Sequence, residues 1–162
     1  MTTNKAGPDM ESLKKCADPR SKLGSASEIP RSHQISIARV SSCEDEVLQA
    51  RLVLGRRSGT SEYLARFNEA EAGLLIFEEW PSYAFGLVYE LQVLKPYRRL
   101  GIGVQLLKHA DALALGKGFS SIRLQPRSLD RTHVTDQALV QWYGKHGYVV
   151  DELDVGWMRK AL

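Results

Sequence analysis

Apolar positions from residue 34 onward fall into short blocks separated by polar or glycine-bearing breaks. Ile35, Ile37 and the residues to Val40 predict a first strand. Ser41 and Ser42 then offer N-cap oxygens, and Glu44, Asp45 and Glu46 suit a first helical turn, where the dipole favours negative charge. Val47, Leu48, Leu52 and Val53 recur at helical spacing, with Gly55 as terminator. Tyr63 to Phe67 and Leu74 to Glu79 predict a hairpin across residues 68–73, and Trp80-Pro81-Ser82 the next turn. Ala84 to Leu94 is a long apolar strand. Gly103 to Leu115 carries one apolar face (Leu106, Leu107, Ala110, Leu113, Ala114) and stops at Gly116 and Gly118. A strand from Ser121 to Gln125 ends at Pro126. A helix from Asp136 to His146, capped by Thr135, precedes closing strands at Tyr148 to Glu152 and Gly156 to Lys160. The order predicts an α/β (α+β) domain, a mixed sheet with helices on both faces.

Residues 1–32 are poor in large apolar side chains and are expected to form a mobile polar tail, with a short helix conceivable over Met10 to Cys16. Residues 33–162 then form one domain, and 162 residues suffice for a core. Net charge is +3, and the first 32 residues hold six Lys/Arg against four Asp/Glu, so the remainder is nearly neutral. That speaks against nucleic acid as a partner. No apolar run approaches bilayer length and no secretory h-region is visible, so no membrane partner is expected and the cytoplasm is the default location. Cys16 and Cys43 suggest neither a disulfide framework nor a metal site, so no metal is expected.

The chemistry concentrates in Tyr89 to Gly103. An apolar strand meets Pro96, a basic glycine-punctuated turn follows, and an amphipathic helix starts after it. Such a turn leaves backbone N–H groups free at the positive end of a helix dipole, a seat for a pyrophosphate. A Walker A loop is absent. A dinucleotide fingerprint fails because Leu106 stands at the third glycine and the next strand ends without a carboxylate.

Arg98-Arg99-Leu100-Gly101-Ile102-Gly103 matches Gln/Arg-x-x-Gly-x-Gly/Ala, and here the chain resembles the GNAT superfamily of N-acetyltransferases. Asp136 to Tyr148 resembles the family's Asn-x-x-Ala-x-x-Phe-Tyr-x-x-x-Gly-Phe, with Asp136 for Asn, Leu139 for Ala and Trp142 for Phe; Tyr143 and Gly147 match. The resemblance covers roughly Ile35 to Leu162 and implies a mostly antiparallel sheet of six to seven strands. It implies acetyl-CoA as co-substrate and an amine acceptor, either a small molecule or a protein amino group, in a monomer or homodimer. Leu91, Gln92 and Val93 would offer backbone groups to the pantetheine arm, and Arg99, Leu100, Gly101, Ile102, Gly103 and Val104 would hold the pyrophosphate. Arg98 and Arg99 would add charge-assisted contacts. The Tyr89 to Val93 run is similar both to N-terminal acetyltransferases of histone tails and to small-amine acetyltransferases of the diamine type.

Glu90 is the candidate base. A carboxylate mid-way along an apolar strand must face a groove or a partner, and partial burial would raise its pKa; a glutamate paired with a basic residue is the plainer alternative. Gln92 shares its face. Tyr143 is the candidate acid, because the resembling family places this tyrosine beside the thioester sulfur. Lys108, His109, His133 and His146 are expected at the surface. A module that binds acyl-CoA or a partner without turnover is the competing class. The short first helical segment and the long loop from Pro126 to Val134 border the acceptor groove in relatives.

Overall fold

A computed structural model describes residues 33–162, so the expected tail and the helix at Met10 to Cys16 lie outside the described residues. Seven strands form one sheet: β1 (Ile35–Arg39), β2 (Thr60–Phe67), β3 (Ala70–Trp80), β4 (Phe85–Val93), β5 (Ser121–Leu124), β6 (Val149–Val150) and β7 (Met158–Ala161), in the order β1-β2-β3-β4-β5-β7-β6. All neighbours are antiparallel except β4 and β5. The helices are α1 (Glu46–Gly55), α2 (Ile102–Gly116) and α3 (Asp136–Gly144).

Each face of the sheet has its own core. α1 lays Leu48 and Leu52 on Leu64, Leu74 and Ile76. On the opposite face, Ile102, Leu106, Leu107, Ala110 and Ala114 of α2 and Tyr143 of α3 pack with Leu75, Phe77, Val88, Ile122 and Leu124. Helices on both faces of a mostly antiparallel mixed sheet agree with the sequence reading.

Local chemistry differs from it at four places. Asp45, rather than Ser41 or Ser42, caps α1: its carboxylate accepts from Val47 N at 2.9 Å and Leu48 N at 3.0 Å. The hairpin turn is two residues long, because Asn68 (φ 48°) and Glu69 (φ 72°) both take the left-handed conformation that suits strand twist. α2 starts at Ile102, directly after Gly101. The closing strands are shorter than expected, since residues 151–157 form a turn-rich loop.

Helical spacing over α1 marked the buried positions but also two exposed ones. Leu48 and Leu52 are fully buried, whereas Val47 and Val53 are half or more exposed. Cys43 is half-buried, and burial with nearby Glu71 and Asp45 pushes its thiol up to about 11, which leaves it inert at neutral pH.

Leu52→Ala is expected to cost about 3 kcal/mol in denaturant unfolding, and Val53→Ala well under about 1 kcal/mol. Equal losses would contradict the orientation of α1.

Candidate active site

The site begins with a break in strand pairing. β4 runs beside β5 only as far as Val88, opposite Leu124. At that point β4 carries a bulge against β3: Phe77 pairs with Val88 and Ile76 with Glu90, leaving Tyr89 as the extra residue. A bulge bends its strand and sharpens the twist. Beyond it, Tyr89–Val93 have no partner strand on the β5 side, and a groove of about 1210 Å³ opens there.

One end of this groove is the turn into α2. Gly101 has φ 84°, which only a residue without Cβ adopts freely, and nothing lies within 4 Å of where its Cβ would be. Arg99 also sits left-handed at φ 64°, a conformation costing about 1–2 kcal/mol for a residue with a Cβ. The first helical bond runs from Gln105 N to Gly101 O at 3.0 Å, so the amides of residues 99–104 have no backbone acceptor. Unpaired amides at the start of a helix are suited to an anion.

Gly103 has a second reason to be small: a Cβ there would stand 3.2 Å from the Trp142 ring, so α3 packs on the start of α2. Gly103 and Val104 line the groove with Arg98, Arg99 and Gly101. The side chain of Ile102 is buried in the core and that of Leu100 is exposed away from the groove, so these two can contribute only main-chain amides.

Arg98 is already engaged. Its Nη2 donates to Asp130 Oδ2 at 2.9 Å and its Nε to Val93 O at 3.3 Å. Hydrogen bonds from His133, Thr132 and Arg98 hold the Asp130 carboxyl well below the usual range. His133 Nε2 in turn meets Lys95 Nζ at 2.9 Å. His133 is exposed, as expected, and its exposed face lies on the groove wall. His109 is also not a plain surface residue: it packs edge-on to Tyr63, with Nε2 enclosed and unpartnered, and burial lowers its pKa.

Leu91, Gln92 and Val93 line the middle of the groove. Tyr143 faces them from α3, set edge-on between Trp142 and Tyr148 at centroid distances of 4.9 and 5.7 Å. Burial pushes its hydroxyl up to about 12, so it keeps its proton throughout the neutral range. Thr135 caps α3, accepting from Ala138 N at 3.1 Å. Asp136, where the family pattern has Asn, accepts from Ser128 N at 2.6 Å and anchors the long loop.

Glu90 is buried and points to the α1 face. Both its oxygens are taken by Arg51, at 2.5 Å from Nε and 2.6 Å from Nη2. The partner that the burial argument demanded is therefore a bidentate guanidinium. Arg51 lies one turn before Gly55, whose missing side chain lets the end of α1 close on Ile76. Arg57 lies over the Tyr89 ring at 4.4 Å and donates to its hydroxyl. Arg51, Arg57, Glu78, Trp80 and Trp157 also line this end of the groove, and the sequence reading had singled out none of them for the site. Among the described residues no cluster of three or more His, Cys, Asp or Glu is arranged to hold a metal, and no helix is long and apolar enough to cross a membrane.

A family model described as an acetyltransferase (GNAT) domain matches residues 59–150, more than half of the chain. The chain belongs to the GNAT acetyltransferases. Its fold is similar to that of a GNAT family acetyltransferase from Elizabethkingia anophelis with acetyl-CoA bound, at 16% identity and TM-score 0.58, covering 79% of this chain and 98% of that one. An IAA acetyltransferase from Bacillus cereus superposes with TM-score 0.55 at 18% identity, over 80% of this chain and all of that one (100%). The paia N-acetyltransferase from Thermoplasma acidophilum in complex with coenzyme A gives 0.52 at 19% identity, over 72% and 70%. At these identities the likeness is one of fold. No curated protein matches the chain.

Because Asp130 competes with any anion for Arg98, Asp130→Asn is expected to tighten inorganic pyrophosphate binding by about two- to fivefold, the worth of one nearby charge in high dielectric. Calorimetric titration checks this. Unchanged or weaker binding would place Arg98 outside the anion seat.

Proposed function

We propose that this chain is an N-acetyltransferase that binds acetyl-CoA and a primary amine together and transfers the acetyl group directly between them. The observation that carries this reading is the continuity of one groove, from the free amides at the start of α2, past Tyr143, to Glu90 and Glu78. The residues present fit such a cofactor. The seat has donors without acceptors and open space over Gly101, and the unpaired run of β4 can accept an extended arm as an added strand. The solved structures with acetyl-CoA or coenzyme A bound on the same fold support this reading.

When bound, acetyl-CoA supplies a thioester whose carbonyl carbon is the electrophile and whose sulfur is the leaving group. The amine arrives largely protonated and must shed that proton before its lone pair can attack. Glu90 is the proposed acceptor of that proton through a bridging water, with Arg51 fixing the carboxylate in place. Tyr143 is the proposed acid: it holds a proton at the groove wall for the departing sulfur and recovers one from the acetylated nitrogen, so one proton is released per turnover. The main-chain groups of Leu91–Val93 orient the arm and exclude water. A tyrosine kept protonated in the wall of the groove favours turnover over a binding module.

Acetyl-CoA at about 100 times its Kd is expected to stabilise the wild type by about 2.7 kcal/mol, read as a rise in Tm. In Gly101→Phe, whose ring would fill the open seat, that rise is expected to vanish while the ligand-free variant still melts cooperatively. A full rise in the variant would remove the seat from the account.

Glu90→Gln and Tyr143→Phe are each expected to lower kcat by about 10²-fold or more with acetyl-CoA Kd within about threefold of wild type. Because the Tyr143 pKa is raised to about 12, its proton is lost only as pH approaches that value, so kcat should show no alkaline fall up to about pH 10, the ordinary tyrosine value. Losses confined to Kd, or a fall near neutral pH that disappears in Tyr143→Phe, would overturn these roles.

A further inference from the structure

The far end of the groove has a composition that fits one kind of acceptor; this inference rests on the N-acetyltransferase reading. On the α1 face, the rows Glu78–Leu87–Arg123 and Trp80–Phe85 lie side by side across β3, β4 and β5. α1 is ten residues long and packs on Leu64, Leu74 and Ile76, so it leaves these rows uncovered. Trp80 stacks on Phe85 with centroids 5.7 Å apart and planes 12° from parallel. The Arg123 guanidinium lies 5.3 Å from the Phe85 centroid and 5.2 Å from that of Trp157. Asp151 and Asp154 hold Arg123 at 2.9 Å each. The wall is therefore a pinned stack of Trp80, Phe85, Arg123 and Trp157, and the charge of Arg123 is already matched.

Two neighbouring charged side chains already have contacts of their own. Glu90 is held by Arg51, and Arg57 is stacked on Tyr89. Glu78 is different. It lines the groove from β3, beside Trp80, and has no ion-pair partner among the described residues. A free carboxylate beside aromatic faces is a receptor for an ammonium joined to a flat apolar body.

We propose that Glu78 and the Trp80–Phe85–Arg123–Trp157 stack form the acceptor subsite, and that the acceptor is a small primary alkylamine bearing an aromatic ring. Glu78 receives the ammonium, and the ring lies against Trp80 and Trp157. A long peptide would leave the aromatic wall empty beyond its first residue.

The test is a panel of steady-state assays with acetyl-CoA against 2-phenylethylamine, n-hexylamine, spermidine and a peptide with an N-terminal alanine, alongside acetyl-CoA binding by calorimetry. The phenyl amine is expected to exceed each of the others in kcat/KM by about tenfold or more, the worth of one aromatic contact with its area. Glu78→Gln should raise the amine KM about tenfold with kcat and acetyl-CoA Kd nearly unchanged, and Glu78→Asp should recover part of it. Trp157→Leu should remove the preference for the phenyl amine over n-hexylamine. If amines are acetylated without that preference, or if spermidine or the peptide leads, this inference fails while the transferase reading stands. If acetyl-CoA binds and no amine is acetylated, the transferase reading fails and this inference with it. Should Glu78→Gln lower kcat and acetyl-CoA affinity alike, Glu78 belongs to the scaffold and the subsite is refuted.

Discussion

The structure turns on a parting of two strands. β4 and β5 share hydrogen bonds only to Val88 and Leu124, and the bulge at Tyr89 bends β4 away at that position. Unpaired backbone inside a fold is costly unless water or a ligand satisfies it. Here the gap stays open to solvent as a groove, and its walls carry Glu78, Glu90 and Tyr143 together with the turn into α2. The bulge also sets the facing of the strand: it places Val88 on the α2 side and Glu90 on the α1 side, two residues on, where simple alternation would have kept them together.

Two helices then complete the groove from the same side. α2 offers its amides because Gly101 can turn at positive φ, and α3 brings Tyr143 because Trp142 fits against Gly103. Several charges along the walls are matched internally. Arg51 holds Glu90, Arg98 meets Asp130, and Arg123 is clamped by two aspartates. Such pairing fixes side chains that would otherwise be mobile.

Much of this was legible in the chain. Element order, the switch from strand to helix at Pro96–Gly103, and the Thr135 cap follow from local rules that need only neighbours in sequence. The blocks around Gly101 and Tyr143 were readable through their resemblance to the family's sequence patterns. What escaped was long-range. Nothing near Glu90 in sequence announces Arg51, 39 positions earlier, and nothing near Arg98 announces Asp130, 32 positions later. The two-residue hairpin was missed because Asn68-Glu69 lacks the glycine that normally marks two left-handed positions. The aromatic wall joins residues from β3, β4, β5 and the β6–β7 loop, so only the assembled sheet brings it together.

The central claim is that the main-chain groups of Leu91–Val93 left open on the β5 side, Val93 O apart, and the amides of residues 99–104 hold the cofactor. Amide hydrogen exchange with and without coenzyme A tests it most directly. The account predicts slowed exchange concentrated in those two segments, with β1 and β2 unchanged. Tight binding that leaves both segments exchanging as before, or that protects amides elsewhere instead, would contradict it.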